Sequence, residues 1–478
     1  MPFKDECGVF GITPQAEASR QTYLGLYALQ HRGQEAAGIA SRSQGADPAV
    51  IHLHKAQGYV ADIFTESVLN ELPGDAAIGH TRYSTTGGNV ASAAHPFVVH
   101  GRFGALALCH NGNLTNTEVL RAKLIQQGHT FNSPSDSEVI LGLISRAEAP
   151  TLIEAVEEAL RQCEGAFSLL ILSEQMLMAA RDPHGFRPLA YGRLPQEDGR
   201  KAHVFSSETC AFDLVGAEYE REVAPGELLI VKADNSAESR FPAAKVAPRP
   251  CVFEHVYFSR PDSFVFSRSV MATRREMGRI LARQHPVAAD LVVPVPDSGV
   301  SAALGYAEAS GIPFEFGMIR NHYVGRTFIE PKQSIRSFGV KVKLNPVREL
   351  LAGKRVVLVD DSIVRGTTSK KIVEMVRAAG AAEVHLRISS PPTTHSCFYG
   401  IDTPTRDQLI ASHHTLEQIR DFVKADSLGY LTVDELRAAV QDPGDAFCYA
   451  CFTGAYPVAP QGPEPKGSGL VPFPAVRA

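Results

Sequence analysis

Cys7 stands after six residues, Met1 to Glu6, and opens the run Cys-Gly-Val-Phe-Gly-Ile. A cysteine freed at a chain start can use its own α-amine, of unperturbed pKa roughly 7.7–8.0, to take the thiol proton, so no histidine is required. On its own such a cysteine would read as a small apolar residue opening a buried strand. A second chemical centre lies in VVLVDDSIVRGTTS, Val356 to Ser369. There an apolar strand ends in two carboxylates, Asp360 and Asp361, which can hold sugar hydroxyls or an oxygen-loving cation such as Mg²⁺ above a sheet. The loop from Ser362 through Val364, Arg365, Gly366, Thr367 and Thr368 leads into a helix N-terminus, where N–H groups, dipole and hydroxyls suit a phosphate.

Two further segments fit that second centre. Val295-Pro-Asp-Ser-Gly299 follows another apolar strand, so Ser298 could meet a pyrophosphate or its metal, although alone it is an ordinary turn sequence. The stretch from Tyr323 to Lys343 carries basic residues with few helix or strand cues, and is expected to be a flap closing on an anionic substrate. No G-x-G-x-x-G follows a strand here, which disfavours a dinucleotide site. Of the eight cysteines, Cys448 and Cys451 form a C-x-x-C pair and Cys251 and Cys397 stand apart, whereas Cys109, Cys163 and Cys210 sit in apolar or helical surroundings that suit packing. The spacing of the first four leaves structural zinc and an iron–sulfur cluster both open, and chemistry alone leans slightly to zinc.

The elements that must position these groups divide the chain in two. Residues 7–235 alternate β-rich runs (Ala105–Cys109, Phe167–Leu172, Glu227–Val231) with helical stretches such as Thr151 to Cys163. The polar stretch from Lys232 to Pro250 has no clear periodicity and holds the boundary. Residues 250–457 open a strand–loop–helix alternation, with Leu291–Val295 and Arg355–Asp360 as buried strands and Ile372, Val376 and Ala379 on one helical face. Residues 458–478 are rich in proline and glycine and are expected to be disordered.

With 47 basic and 52 acidic residues and a net charge of −5, the composition gives no footprint for nucleic acid. No apolar run approaches the roughly 20 residues that span a bilayer, and no signal peptide opens the chain, so a cytoplasmic protein with small-molecule partners is expected.

Val356–Ser369 resembles the phosphoribosyl diphosphate signature of type I phosphoribosyltransferases. Cys7 with Gly79-His-Thr-Arg-Tyr-Ser84, His110-Asn-Gly-Asn113 and Ser135-Asp-Ser-Glu138 resembles the class II, N-terminal-nucleophile glutamine amidotransferases. Taken in this order, together with Leu29–Ile39 (LQHRGQEAAGI), the motifs resemble the glutamine phosphoribosyl-diphosphate amidotransferase family from Cys7 to about Pro457. The resemblance implies an α/β protein: a four-layer αββα glutaminase domain, then a phosphoribosyltransferase domain with a parallel sheet flanked by helices. It implies that Cys7 attacks the glutamine amide, that Arg82 holds the substrate α-carboxylate and Asp136 its α-ammonium, and that Asn111 and Gly112 form the oxyanion hole. Ammonia would pass to C1 of 5-phosphoribosyl 1-diphosphate, giving 5-phosphoribosylamine, glutamate and pyrophosphate, with Mg²⁺ near Ser298, Asp360 and Asp361. That is the first committed step of purine biosynthesis.

The same resemblance implies that residues 1–6 are a propeptide, since an acylated Cys7 nitrogen cannot act as a base. It turns the reading of Cys251, Cys397, Cys448 and Cys451 to a [4Fe–4S] cluster, and it implies a homotetramer inhibited by purine nucleotides. Two rivals remain at this level. A non-catalytic phosphoribosyl-diphosphate-binding regulator would leave Cys7, Arg82 and Asp136 without purpose. Another class II amidotransferase, such as one making glucosamine 6-phosphate, would need an isomerase domain in place of Val356–Ser369.

Overall fold

The computed structural model describes residues 7–43, 50–83, 91–321, 343–442 and 444–461. The segment 1–6, Ser84, the expected flap apart from Lys343, and the tail from residue 462 lie outside the described residues.

Period-two patterning builds the first half. In the strand Gly104–Leu114, Leu106 and Leu108 face a helical layer while Ala107 and Cys109 face a second sheet, and Leu169/Ile171 against Leu170/Leu172 repeat the division in Gly165–Ser173. The result is a six-stranded antiparallel sheet facing a seven-stranded one, in which Gly8–Thr13 lies between Lys201–Ser206 and Ala76–Arg82. Helices Thr117–Gln126, Asp136–Arg146 and Leu152–Gln162 cover the first sheet, and Ala18–Ala28 and Cys210–Val215 cover the other. This is the expected αββα layering. The helix expected from Thr151 begins there because Thr151 and Glu154 form a capping box. Cys109, Cys163 and Cys210 are buried packing residues.

One reading needs correction. Within the stretch read as aperiodic, Ala237–Arg240 pairs antiparallel with Leu228–Lys232 as an edge strand. Its side chains are at best partly buried, so no apolar alternation advertises it.

In the second half, parallel strands Leu291–Pro294, Arg355–Asp360, Glu383–Ile388 and Ser427–Tyr430 form one sheet in that order. Val292, Val357 and Val359 pack towards helices Val270–Gln284 and Val300–Ser310. Val293, Val356 and Leu358 pack towards Thr367–Ala378 and Leu416–Val423, where Ile372, Val376 and Ala379 share the core as expected. Burial on both faces explains the continuous β-branched runs.

A fully buried ionic network joins the halves. Arg32 donates to Glu208 Oε1 at 2.6 Å and to both Glu254 oxygens at 2.9 and 2.8 Å, and Arg187 donates to Glu254 Oε1 at 3.4 Å. All four side chains have 0% exposure. Ser263 Oγ and the Arg260 N–H add bonds to Glu208 Oε2 at 2.7 and 2.8 Å. Burial pushes the Glu208 pKa up, but the His31 and Arg32 charges and the Ser263 hydroxyl outweigh it, and the net shift is far downward. Its stabilisation is therefore fully present above the unfolded value, roughly 4.3, and is lost as the pH falls towards the depressed folded value. Glu208→Gln should lower stability at neutral pH by on the order of 3 kcal/mol and flatten this part of the acid sensitivity. Denaturant midpoints of both proteins between about pH 3 and pH 7 check both effects.

Candidate functional sites

Cys7 is partly buried at the head of Gly8–Thr13, and antiparallel pairing of Gly8 with Thr81 sets it beside Arg82, the last residue of its strand. Its thiol lies 3.6 Å from the Tyr83 carbonyl, and its own carbonyl accepts from Arg32 Nε at 3.1 Å. Two residues before Arg82, His80 Nε2 donates to the His110 carbonyl at 3.0 Å, tying this strand to the one carrying Asn111. Asn111 is buried, and its Nδ2 has no hydrogen-bond partner among the described residues. A buried amide donor left unmatched is unfavourable, so it is a donor suited to a substrate oxyanion. Next to it Gly112 has φ 146°, and a Cβ there would lie 2.2 Å from the Ala166 carbonyl oxygen, so only glycine fits.

Asp136 is the first residue of Asp136–Arg146, where the helix dipole favours a carboxylate. The Leu114 N–H donates to its Oδ2 at 3.0 Å, and His110 Nδ1 lies 3.4 Å from its Oδ1. Burial pushes its pKa up, yet the His110 contact and the backbone N–H bonds outweigh this, leaving it below the ordinary value. Strand pairing, the His80 bond and the Leu114 bond thus gather Cys7, Arg82, Asn111, Gly112 and Asp136 around one end of the sandwich: a thiol, a cation, an unmatched amide donor and an anion.

At the carboxyl end of the parallel sheet, Asp360 and Asp361 are both buried. Ser298 Oγ donates to Asp361 Oδ1 at 2.6 Å, Ser362 Oγ donates to its other oxygen, and the Asp361 N–H donates to Asp360 Oδ1 at 3.0 Å. Ser298, expected to meet a pyrophosphate or its metal, thus lies beside the carboxylates. The loop is held by two further bonds: the Val364 carbonyl accepts from the Ile410 N–H at 2.9 Å, and Arg365 donates to Gln408 at 2.6 Å. Gly366, at φ 71°, caps the helix that Thr367 and Thr368 begin. Arg365 is thus engaged with a neighbouring loop, whereas the backbone and hydroxyls of Ser362 and Thr367–Thr368 lie along the path to the helix N-terminus. Burial, and the charge of its neighbour, push the Asp360 pKa well up; Asp361 is raised by burial against the pull of Ser298, Ser362 and Arg274. Two adjacent buried carboxylates fit a divalent cation, whose charge would oppose both shifts.

Cys251, Cys397, Cys448 and Cys451 line one small cavity with Arg187, Tyr399 and Tyr456. Cys251 and Cys448 sit on a parallel bridge, although in sequence they are far apart. Burial pushes Cys448 up to about 12, and Cys451 is raised further by burial and by the other three thiols. Among the described residues no group of three or more His, Cys, Asp or Glu is placed to hold a metal ion. Four thiols lining a shared cavity beside a buried guanidinium are the donor type that zinc and iron–sulfur groups both use.

Sequence reasoning missed Arg32, Arg187, Glu208 and Glu254. Glu254 is a lone carboxylate in the apolar stretch Cys251-Val-Phe-Glu-His-Val256, and that pattern is an available signal, whereas Arg32 lies in the polar run Gln30-His-Arg-Gly-Gln-Glu35 and gives none.

The glutamine amidotransferase domain family matches residues 80–213, and the phosphoribosyl transferase domain family matches residues 271–389. The chain is 52% identical over 466 residues to amidophosphoribosyltransferase 1, chloroplastic, of Arabidopsis thaliana, covering 98% of this chain and 81% of the relative. It is 48% identical over 458 residues to the amidophosphoribosyltransferase of Bacillus subtilis strain 168, covering 95% and 94%. The solved glutamine phosphoribosylpyrophosphate amidotransferase from B. subtilis, complexed with ADP and GMP, superposes with a TM-score of 0.88 at 46% identity, over 95% of this chain and 98% of that one.

The raised Asp360 and Asp361 values have a consequence for stability. Between the unfolded value, roughly 3.9, and the raised folded ones, the folded chain binds more protons, so the contribution of this pair is most favourable at low pH and declines as the pH rises. Asp360→Asn keeps an oxygen for the Asp361 N–H and deletes the like charge. Without divalent cations it should unfold at a higher temperature than the parent at neutral pH, with the difference vanishing towards about pH 4; calorimetry across that range measures it.

Proposed function

The chain belongs to the amidophosphoribosyltransferase family, and from that premise we propose how its residues divide the reaction. The enzyme transfers ammonia from glutamine to C1 of 5-phosphoribosyl 1-diphosphate, giving 5-phosphoribosylamine, glutamate and pyrophosphate, the first committed step of purine biosynthesis. The gathering of Cys7, Arg82, Asn111, Gly112 and Asp136 at one end of the sandwich carries the proposal for the glutaminase residues.

In this reading the chain matures by loss of residues 1–6, and the freed α-amine of Cys7 takes the thiol proton. Arg82 pairs with the α-carboxylate of glutamine and Asp136 with its α-ammonium, which places the side-chain amide at the thiol. Attack by sulfur forms the C–S bond and a tetrahedral oxyanion met by Asn111 Nδ2 and the Gly112 N–H. The α-ammonium of Cys7 then returns a proton to the departing nitrogen, ammonia leaves, and water hydrolyses the thioester to glutamate. Ammonia must travel within the protein, because release into neutral water would protonate it.

For the acceptor, Asp360 and Asp361 hold the ribose hydroxyls or a cation, and the loop Ser362–Thr368 holds the 5-phosphate. Mg²⁺ held by the Asp360, Asp361 and Ser298 group would neutralise the pyrophosphate leaving group. Cys251, Cys397, Cys448 and Cys451 would hold a [4Fe–4S] cluster of structural role. The glutaminase unit runs from Cys7 and the transferase unit from about Pro250 to Pro457. ADP and GMP on the B. subtilis relative support purine nucleotides as inhibitors here. No helix among the described residues is long and apolar enough to cross a membrane. We place the enzyme in the cytoplasm, as a homotetramer, although the Arabidopsis relative is chloroplastic.

Two experiments test the assignment. Cys7→Ser should abolish synthesis from glutamine and leave synthesis from ammonia. Asp360→Asn/Asp361→Asn should lose on the order of 10²-fold or more with both donors, and near-normal ammonia-dependent synthesis by that double variant would remove the acceptor site from this crevice. Native mass spectrometry of anaerobically purified active enzyme should show an assembly of chains that begin at Cys7 and carry iron with inorganic sulfide. Active chains retaining residues 1–6, or zinc without sulfide, would overturn the maturation or the cluster respectively.

A further inference from the structure

Behind Asp136 lies a polar cluster that the reaction scheme does not use. Ser137 is fully buried, and its Oγ meets three groups from different elements: His95 Nε2 at 2.7 Å, His110 Nδ1 at 3.1 Å and Asp136 Oδ1 at 3.4 Å. His95 stacks on His80 with ring centroids 4.3 Å apart, and His80 in turn donates to the His110 carbonyl. All three imidazoles are buried, and burial pushes His80 to about 3 and His95 well below its ordinary value, so both are neutral. The Nδ1 atoms of His80 and His95 have no hydrogen-bond partner among the described residues.

Neutral rings with unmatched nitrogens at a helix–sheet contact are a poor way to stabilise it, since apolar side chains of the same volume would desolvate at lower cost. What the arrangement does achieve is orientation. Asp136 Oδ2 is fixed by the Leu114 N–H, and Oδ1 faces the Ser137 hydroxyl and the His110 ring. With His95 Nε2–H donating to it, the Ser137 oxygen is held in place and its own proton is turned towards Asp136 or His110.

Resting on the reading of Asp136 as the ligand of the α-ammonium, we propose that Ser137 and His95 are positioning residues that set selectivity for amides bearing that ammonium. They do so by holding the Asp136 carboxylate in one orientation. They touch neither substrate nor thiol, so their loss should weaken recognition of the ammonium and leave the acceptor chemistry alone.

The test compares kcat/KM for glutamine with that for 4-carbamoylbutanoate, the same amide without the α-amino group, and uses ammonia-dependent synthesis to certify each folded variant. Ser137→Ala, and Ser137→Cys, which keeps the volume but donates weakly, should each lose about tenfold or more of the preference for glutamine, mainly through KM, as expected for a misplaced charge-assisted bond. A merely structural defect would lower both substrates equally and leave the ratio intact. Asp136→Asn is the control. If it loses the preference while both Ser137 variants keep it, the positioning role is wrong. If Asp136→Asn itself keeps the preference, the reading of Asp136 fails and the positioning role falls with it.

Discussion

The buried network of Arg32, Glu208, Glu254 and Arg187 is the constraint on which the remainder depends, because charges taken fully out of water must find one another or the halves cannot close. Breaking such a pair leaves an uncompensated charge, whereas well-packed apolar residues of similar volume would stabilise as much or more. Its presence therefore speaks less for stability than for a fixed geometry. That geometry reaches the chemistry directly: the guanidinium that binds Glu254 of the second half also donates from Nε to the Cys7 carbonyl. The backbone of Cys7 is thus referenced to the second half, across a separation of 222 residues between Arg32 and Glu254.

The Asp360–Asp361 pair shows the opposite economy. Two like charges side by side in a buried crevice disfavour the folded state as the pH rises, and among the described residues Ser298, Ser362, one backbone N–H and the Arg274 charge relieve them. A fold retains such strain where a cation or sugar will use it. The sheet makes it tolerable, since Val356 to Val359 are buried on both faces and fix the strand that presents the pair.

How much of this was legible in the chain depended on how local each signal was. The strand Arg355–Asp360, its loop and its helix could be read because periodicity, carboxylates, glycine and hydroxyls fall within fourteen consecutive residues, Val356 to Ser369. Cys7, Arg82, Asn111 and Asp136 could be read as an ordered set, but not their junctions, since the His80 to His110 bond and the Asp136 to Leu114 bond join strands and a helix distant in sequence. The edge strand Ala237–Arg240 escaped because an exposed edge has no apolar face to reveal. The ionic network escaped for a different reason: a single arginine or glutamate is ambiguous until its partner is known. Histidines 80, 95 and 110 share that ambiguity.

The cavity lined by four cysteines lies where these constraints meet. Arg187 borders it and also binds Glu254, while its Nε donates to the Tyr399 carbonyl at 2.8 Å. Phe186 stacks on Tyr399 with ring centroids 4.1 Å apart, and Asn113 Nδ2 donates to the Phe398 carbonyl at 3.0 Å. The segment following Cys397 therefore rests on the strand that carries Asn111 and Gly112, and it does so closely: a Cβ on Gly400 would lie 3.1 Å from the Gly112 Cα. A side chain there would press on Gly112. Packing of this density transmits displacement instead of absorbing it. Whatever fixes the four thiols consequently fixes the Gly112 backbone by contact and the Cys7 backbone through Arg187, Glu254 and Arg32. The two halves are thus tied together by one small region at their border.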